Sequence, residues 1–490
     1  MTQTILMESL RMETRMAVIE DGALCELYVE RPDSDDIAGS ILLGRVENVL
    51  PGMNAAFVDI GLEKNGFLYA GDIQVSDREL QKRLDGLRIE KLVRPGQDIL
   101  VQVVKAQSGQ KGHRLSSHLT LPGRALVLLP QTGYVGVSRK IADPTKRDRL
   151  HAAAQALARN TGMGLIVRTA AEDLPEEQLS REFKALTDQW RDIENRARHA
   201  VAPKKVFSND SLILKCVRDR LDQDVDAVWA DGRALFDQIK ACADGLAPQW
   251  ADKIRLHEGQ MPLFDLHRVD AQLDKALKKY VWLKSGGSLV IEETEAMTVI
   301  DVNTGKFTGR RDLEDTIFRL NCEAAGEIAR QLRLRDIGGI VIVDFIDMAK
   351  PGNNERLLEC LRECFCRDKN RTAVVGMTGL GLVELTRKKA RRPLSRQLLH
   401  TCSDCGGDGA VPSHETTARR IVRELWRRRR MGETNPVLIR ASEPVVKWIR
   451  TIGVPEGGTV YISKCDAKPG EYAIDPADLA RLPENCKQLK

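Results

Sequence analysis

No run of 18 apolar residues occurs anywhere in the chain, which excludes a membrane-spanning helix. The N-terminal stretch MTQTILMESLRMETR mixes acids and bases where a secretory signal needs an apolar segment. Cysteine is sparse: eleven in 490 residues, most of them single and in apolar or helical contexts such as Cys216, Cys242 and Cys322. That excludes a disulfide scaffold and points to a reduced compartment. A large charge of one sign is missing too. Lys and Arg number 75 against 70 Asp and Glu, a net +5, too little for the whole surface to be a polyanion-binding face. Internal repeats and low-complexity linkers are absent, so neither a solenoid nor a disordered tether organises the chain. The expectation is a soluble cytoplasmic protein with no membrane partner.

What is present is a globular composition, 42% hydrophobic, in a chain long enough for about three compact units at roughly 150 residues each. The basic charge is concentrated. Between Glu384 and Arg430 thirteen Lys/Arg accompany five Asp/Glu, a local +8, so the remainder sums to −3. Within that stretch TARRIVRELWRRRR, Thr417 to Arg430, distributes cations around much of a helix, which is either a solvated face or an RNA-backbone or dimer-groove surface.

The segment GSILLGRVENVLPGMNAAFVDIGLEKNGFLYAGD, with VRPGQDILVQVVKA after a polar insertion, reads as short strands broken by Gly, Pro and Asn turns. Strands at this spacing indicate a small barrel whose order resembles the RNA-binding OB-fold of the ribosomal-protein type. Aromatics make up only 4% of the chain, yet Phe57 and Phe67 lie on these strands with Lys105 and Lys111 just beyond. They fit either base-stacking platforms beside phosphate-binding lysines or two core residues. Residues 119–203 mix strands with helices, and GLIVRTAA is a strand ending at Arg168 and Thr169. VFSNDSLILKCVRDRL opens a strand-and-helix unit running to about Tyr280, and the last 60 residues read as a small α/β domain.

GGSLVIEETEAMTVIDVNTG is a β-hairpin, LEDTIFRLNCEAAGEIARQLRLR a helix, and GGIVIVDFIDM a strand whose continuous apolar run predicts burial on both faces. Strand, helix, strand implies an α/β layer with its two acidic strand ends side by side. Asp301 and Asn303, two apart, project to one face, and Asp344 and Asp347 leave the neighbouring strand. Carboxylates gathered at strand ends form a hard-oxygen site suited to Mg²⁺, although acids also end strands simply as turn residues. The nearby VNTGKFTGRR adds Lys306, Arg310 and Arg311 as candidate phosphate contacts. The eight histidines are scattered and none adjoins the acids, which argues against a histidine-driven attack through the 2′-hydroxyl.

Cys402 and Cys405 stand at CxxC spacing before GGDG, whose glycines let backbone N–H groups turn towards sulfur. One pair is half of a tetrahedral zinc site. Either Cys360, Cys364 and Cys366 complete it or a second subunit supplies the same pair; a redox CxxC is the remaining alternative and lacks an adjoining thioredoxin-like βαβ pattern.

Taken in order, IDVNTGKF, EAAGEIARQLRLRDIGGIVIVDFIDM, GLGLVELTRKK and CSDCGGDG closely resemble the ribonuclease E/G family over essentially the whole chain. The short G type is the better match, because the chain stops at Lys490 without the long tail of the E type. The resemblance implies an α/β multidomain architecture. An RNase H-like domain (1–34 and 204–278) carries an inserted OB-fold RNA-binding domain (35–118), followed by a 5′-sensor domain (119–203). A DNase I-like catalytic domain (279–399), a zinc link (400–412) and a small C-terminal domain (413–490) complete it.

It further implies a Mg²⁺-dependent endoribonuclease of single-stranded RNA acting in rRNA and tRNA precursor processing and mRNA decay. Asp301 and Asp344 would hold the metal, Asn303 would contact the scissile phosphate and Asp347 would support the site. A Mg²⁺-activated water would attack in line, leaving 5′-phosphate and 3′-hydroxyl ends. Zn²⁺ would be shared between the Cys402 and Cys405 pairs of two subunits in a homodimer, with pairing of dimers into tetramers left open. Arg168 and Thr169, supported by Gly123 and Val127, would sense a 5′-monophosphate. Where the E type has a further arginine this chain has Gly379, so that a contact is missing or comes from another residue such as Arg387. The alternative is an RNA-binding or ribosome-assembly factor that does not cleave.

Overall fold

The computed structural model describes residues 2–31, 37–74, 88–105, 112–208, 211–305, 313–483 and 486–489. Lys111, Lys306, Arg310 and Arg311 fall outside these residues. The chain forms two compact units, Met1–Gln397 and Leu398–Lys490.

The larger unit begins with an antiparallel meander, Gln3–Leu10, Glu13–Glu20 and Ala23–Glu30, extended in parallel by Ala227–Asp231 and Ile254–His257. The turn between its second and third strands is Asp21-Gly22, both at positive φ (46° and 80°), the backbone that a two-residue hairpin turn requires. Between the third and fourth strands of this sheet in sequence lies the barrel. Its strands Ile41–Leu50, Ala55–Asp59, Gly66–Tyr69, Arg114–Ser116 and Asp98–Lys105 are neighbours in that order, and pairing of the last with the first closes the ring. A closed five-stranded barrel filled by Val46, Ala56, Val58, Leu68, Val101 and Leu115 is consistent with an OB-like fold. Lys204–Phe207 adds to the outer side of Ile41–Leu50.

A four-stranded sheet around Leu126–Leu129 and Gly164–Val167 packs under two helices, Pro144–Ala158 and Glu176–Arg198. Asp143 caps the first, its carboxylate accepting from the Thr145 and Lys146 amides, with Pro144 at the start where a missing N–H costs nothing. The second is heavily charged but buries Leu179, Leu186, Trp190 and Ile193 along one stripe.

The third layer of this unit is a six-stranded mixed sheet in the order Tyr280–Trp282, Ser288–Glu293, Met297–Asn303, Gly339–Asp344, Val383–Arg387, Thr372–Met377. Helices Leu313–Leu334 and Pro351–Cys364 cover one face, packing Leu320, Ile328, Leu357 and Leu361 against Leu289, Ile300, Val341 and Val343. Among the described residues the other face is open, which corrects the expectation from GGIVIVDFIDM. Along that strand exposure alternates, Ile340 is 48% exposed and Asp344 is exposed, because both helices pack on the same side. A continuous apolar run was therefore no sign of two-sided burial.

Buried ion pairs join this layer to the meander. Arg333, on the long helix, donates to Glu20 (2.6 Å) and Glu26 (2.9 Å), Arg220 pairs with Glu26, and Arg391 stacks 3.7 Å over the Tyr28 ring. The smaller unit places helices His414–Arg430 and Glu443–Ile452 on a four-stranded sheet centred on Val437–Ala441 and Val460–Lys464, over a core of Ile421, Leu425, Ile439, Val446 and Ile462. Among the described residues no helix is long and apolar enough to cross a membrane.

Candidate active site and nucleic-acid interface

Strand register brings the acids together. Met297–Asn303 and Gly339–Asp344 pair in parallel with Asp301 opposite Asp344, so their Cα atoms sit about one interstrand spacing, ~4.8 Å, apart. Both side chains are exposed on the open face, and Asn303 Nδ2 donates to Asp301 Oδ2 at 2.7 Å, fixing one carboxylate oxygen. The turn after Asn303 depends on Gly305: its φ is +57°, and a Cβ there would strike the Gly286 carbonyl.

Two residues of the long helix, both unanticipated from sequence, orient the chain leaving Asp344. Asn321, fully buried, donates to the Ile346 carbonyl (2.8 Å) and accepts from the Ile346 amide (3.2 Å). Glu314 accepts from the amides of Ala349 and Lys350 and from Asn353, and these bonds hold its carboxyl below its usual range. A lone Asn on the apolar face of FRLNCEAAGEIA was the signal for the first. Asp347 is exposed close to the Gly381 turn.

Among the described residues no three His, Cys, Asp or Glu gather as a metal cluster. Two adjacent carboxylates with an amide oxygen beside them match what Mg²⁺ takes from protein, its remaining positions going to water and substrate phosphate. A polydentate cage is not what this cation needs.

On the barrel, Phe57 and Phe67 are cross-strand partners with ring centroids 6.0 Å apart at 72°. Neither belongs to the barrel core, which takes Ala56, Val58 and Leu68 from the same strands, so both rings lie half-buried on the outer face. Arg114 is next to Phe67 in register and Lys105 next to Arg114, making one row of two rings and two cations across three strand pairs. Arg114 was not anticipated; it also pairs with Asp72 at 2.8 Å.

The Arg168 segment lines a cavity of about 370 Å³ together with Arg124, Ser138, Lys140, Arg218 and Asp219. Arg168 donates to the Gly123 carbonyl (2.5 Å) and to Asp219 Oδ1 (2.9 Å), while Thr169 Oγ1 lies 3.3 Å from Ser138 Oγ. Val127 faces Ile166 in the strand pair that carries Arg168. At Gly123 a side chain would collide with Glu182, which accepts from the Ala125 and Leu126 amides and shapes this loop. Asp219 sits on the π-helical turn Cys216–Arg220; burial acts to raise its pKa, but Arg218 and Arg168 outweigh it and hold the carboxyl below its usual range. Arg124 is 5% exposed, and its Nε has no hydrogen-bond partner among the described residues.

Gly379 points into open space. Arg387 does not stand in for the missing arginine: it is buried between Asp368 (2.6 Å) and Asp336 (3.0 Å) and holds the layer together.

In the smaller unit Cys402 and Cys405 form a tight knuckle. Gly406 N bonds to the Cys402 carbonyl, and Gly406, Gly407 and Gly409 adopt positive φ. Amides of Gly409 and Gly407 and the Cys402 thiol lower the Cys405 pKa, favouring the thiolate that a metal requires. Cys360 and Cys364 instead pack against the core of the six-stranded layer, and burial pushes the Cys364 thiol up to about 11. They behave as apolar fillers.

A small closed barrel with half-buried rings and cations on its outer face, combined with an α/β layer that presents paired carboxylates, fits a hydrolase acting on RNA. Residues 120–390 match the Ribonuclease E/G family model. The chain is 41% identical over 449 residues to Ribonuclease G of Haemophilus influenzae, covering 91% of each. With Ribonuclease G of Escherichia coli it shares 40% over 454 residues, 92% of this chain and 93% of that one. Ribonuclease E of a Nostoc species is 42% identical over 376 residues, 76% of this chain and 54% of that one. The chain belongs to the ribonuclease E/G family and is an endoribonuclease, which sets aside a factor that only binds RNA.

Proposed function

We propose that this chain is a Mg²⁺-dependent endoribonuclease that cuts single-stranded RNA, prefers a 5′-monophosphate end and leaves 5′-phosphate and 3′-hydroxyl products. Its RNAs would be rRNA and tRNA precursors and decaying mRNA. The observation that carries the reading is the register pairing of Asp301 with Asp344 on an open sheet face. A divalent cation held there would neutralise charge at the scissile phosphate and lower the pKa of a water. Asn303 fixes Asp301 and has an amide oxygen left to orient the phosphate region. The row Phe57, Phe67, Arg114 and Lys105 would stack bases and contact phosphates, fixing register before cleavage; Lys111 would extend it.

Arg168 and Thr169 would take the terminal phosphate, which has more charge and more open oxygens than an internal diester. Arg168 is engaged by Asp219, so the phosphate would displace a carboxylate from the guanidinium. Gly123 would set the loop and Val127 the strand behind it. In this reading the meander with residues 204–278 is the RNase H-like domain, 119–203 the sensor and 279–399 the DNase I-like catalytic domain.

Cys402 and Cys405 would pair with the same residues of a second copy around one Zn²⁺, since a closed zinc site needs four ligands and one chain presents two. The test uses 5′-labelled single-stranded RNA with and without Mg²⁺, bearing either a 5′-monophosphate or a 5′-hydroxyl. Mg²⁺-dependent cleavage, faster on the monophosphate and equalised by Arg168→Ala, supports the reading; cleavage in EDTA, or equal wild-type rates on the two ends, contradicts it. One zinc per two chains, lost together with the dimer on changing both cysteines to serine, tests the link.

A further inference from the structure

We infer that the exposed face of helix His414–Arg430 is a second docking surface for single-stranded RNA, separate from the barrel and the carboxylate pair. The inference rests on RNA being the substrate and adds a site to that reading.

The helix is sharply two-sided. Thr417, Ala418, Ile421 and Leu425 are buried in the core of the smaller unit. Arg420, Arg423, Arg427 and Arg430 are all exposed, and their spacing of three, four and three residues sets them in a single stripe. Of the other cations of this helix, Arg419 pairs with Glu415 and Arg428 with Glu424, and Arg429 donates to the Glu433 and Asn435 carbonyls; within the stripe Arg423 Nε donates to the Arg419 carbonyl at 3.2 Å, which leaves its charge uncompensated. The four stripe arginines have no carboxylate partner among the described residues. Arg427 and Arg430 lie in the last turn, where the helix C-terminus favours cations, but Arg420 and Arg423 do not, and like charges at these spacings repel, a repulsion that a bound polyanion would relieve.

The anion must also suit an exposed ring. Trp426, 54% exposed, lies beside the stripe with Arg430 stacked 4.8 Å from its centroid. Cations that track a backbone next to a half-exposed indole are the two elements of a sequence-tolerant single-strand site. A second copy of this chain is a poor occupant, because a two-fold contact would set the same cations against each other.

The experiment measures anisotropy of a labelled single-stranded RNA of about 40 nucleotides, well beyond the 4–16 that one barrel spans, with the full chain in EDTA across a salt series. Arg420→Gln, Arg423→Gln and Arg427→Gln together should weaken binding at least about tenfold at low salt. They should also reduce the slope of log K against log salt by about 2, three cations at ~0.7 each. The three changes to Lys should keep the slope. Trp426→Ala should weaken binding by roughly tenfold at an unchanged slope, and Trp426→Phe should restore it. Cleavage of an RNA of about 10 nucleotides, within one barrel's span, reports separately on the endoribonuclease reading. Its absence in the wild type counts against that reading and not against the stripe.

Wild-type affinity and slope in the Gln variant would overturn the inference, leaving a solvated face. So would an unchanged RNA slope with an altered sedimentation mass, which makes the stripe an interface between copies, or with lost binding to anionic phospholipid vesicles. If the Gln variant melts early, the Lys and Trp426 variants decide.

Discussion

The carboxylate pair and the arginine cavity lie in one compact unit, yet different forces hold them. Asp301 and Asp344 meet because their strands pair in parallel, so backbone hydrogen bonds set their separation. Arg168 is held by the Gly123 carbonyl and by a carboxylate 51 residues away, so its cavity depends on charges that are partly desolvated. Backbone register tolerates a change of side chain and loses only the chemistry of the group replaced. A cavity built from ion pairs changes its ligand preference when a single partner is neutralised.

The largest expected effect follows from the first half of that contrast. Asp344→Asn should lower cleavage on the order of a thousandfold while thermal unfolding stays at the wild-type temperature, because register and not the carboxylate holds the strand. A melting temperature that falls with the activity would show that Asp344 has a structural role.

Glu26→Gln should do the reverse. It leaves Arg333 and Arg220 buried without their full countercharge, a loss of about 3–5 kcal/mol visible as a lower midpoint in urea. Burial alone would raise the Glu26 pKa, but Arg220 and Arg333 outweigh it and hold it below the ordinary value. A depressed folded-state pKa stabilises above the unfolded value and the contribution is lost as pH falls through the folded one. The wild type should therefore destabilise more steeply below about pH 4.5 than the Gln variant. Parallel acid titrations of the two proteins would contradict this.

A smaller loss is expected from Asn321→Ala, about 1–3 kcal/mol of stability from two backbone groups left unpaired. It should also lower kcat with little change in KM, since the chain leaving Asp344 loses its anchor; an unchanged kcat would limit Asn321 to stability. Smallest is Asp219→Asn. Removing the competing charge at a half-exposed pair should lower KM for 5′-monophosphate RNA about fivefold and leave 5′-hydroxyl RNA unaffected. Equal shifts on both substrates would mean that Asp219 shapes the cavity without gating it.

The same contrast explains what the sequence disclosed. Strand, helix, strand with acids at both strand ends was enough to place Asp301 beside Asp344, because parallel pairing follows from local pattern. The open sheet face was misread, since IVIVDFI looks identical whether one or two layers cover it and only tertiary packing decides. Composition left Phe57 and Phe67 undecided between core and surface; alternation with Ala56, Val58 and Leu68 carried the answer. Arg168 was singled out through family resemblance, but Asp219 was not, because no local pattern links residues so far apart. Arg387, named as a substitute for the arginine absent at Gly379, is buried between two aspartates.

The most direct test of the paired-carboxylate site is a Mg²⁺ titration of cleavage by the wild type and Asp301→Asn, with RNA affinity measured on the same preparations in EDTA. Cleavage should saturate with Mg²⁺ in the wild type and remain on the order of a thousandfold lower in the variant at every concentration, with RNA affinity unchanged. Wild-type cleavage by Asp301→Asn at any Mg²⁺ concentration would contradict the site.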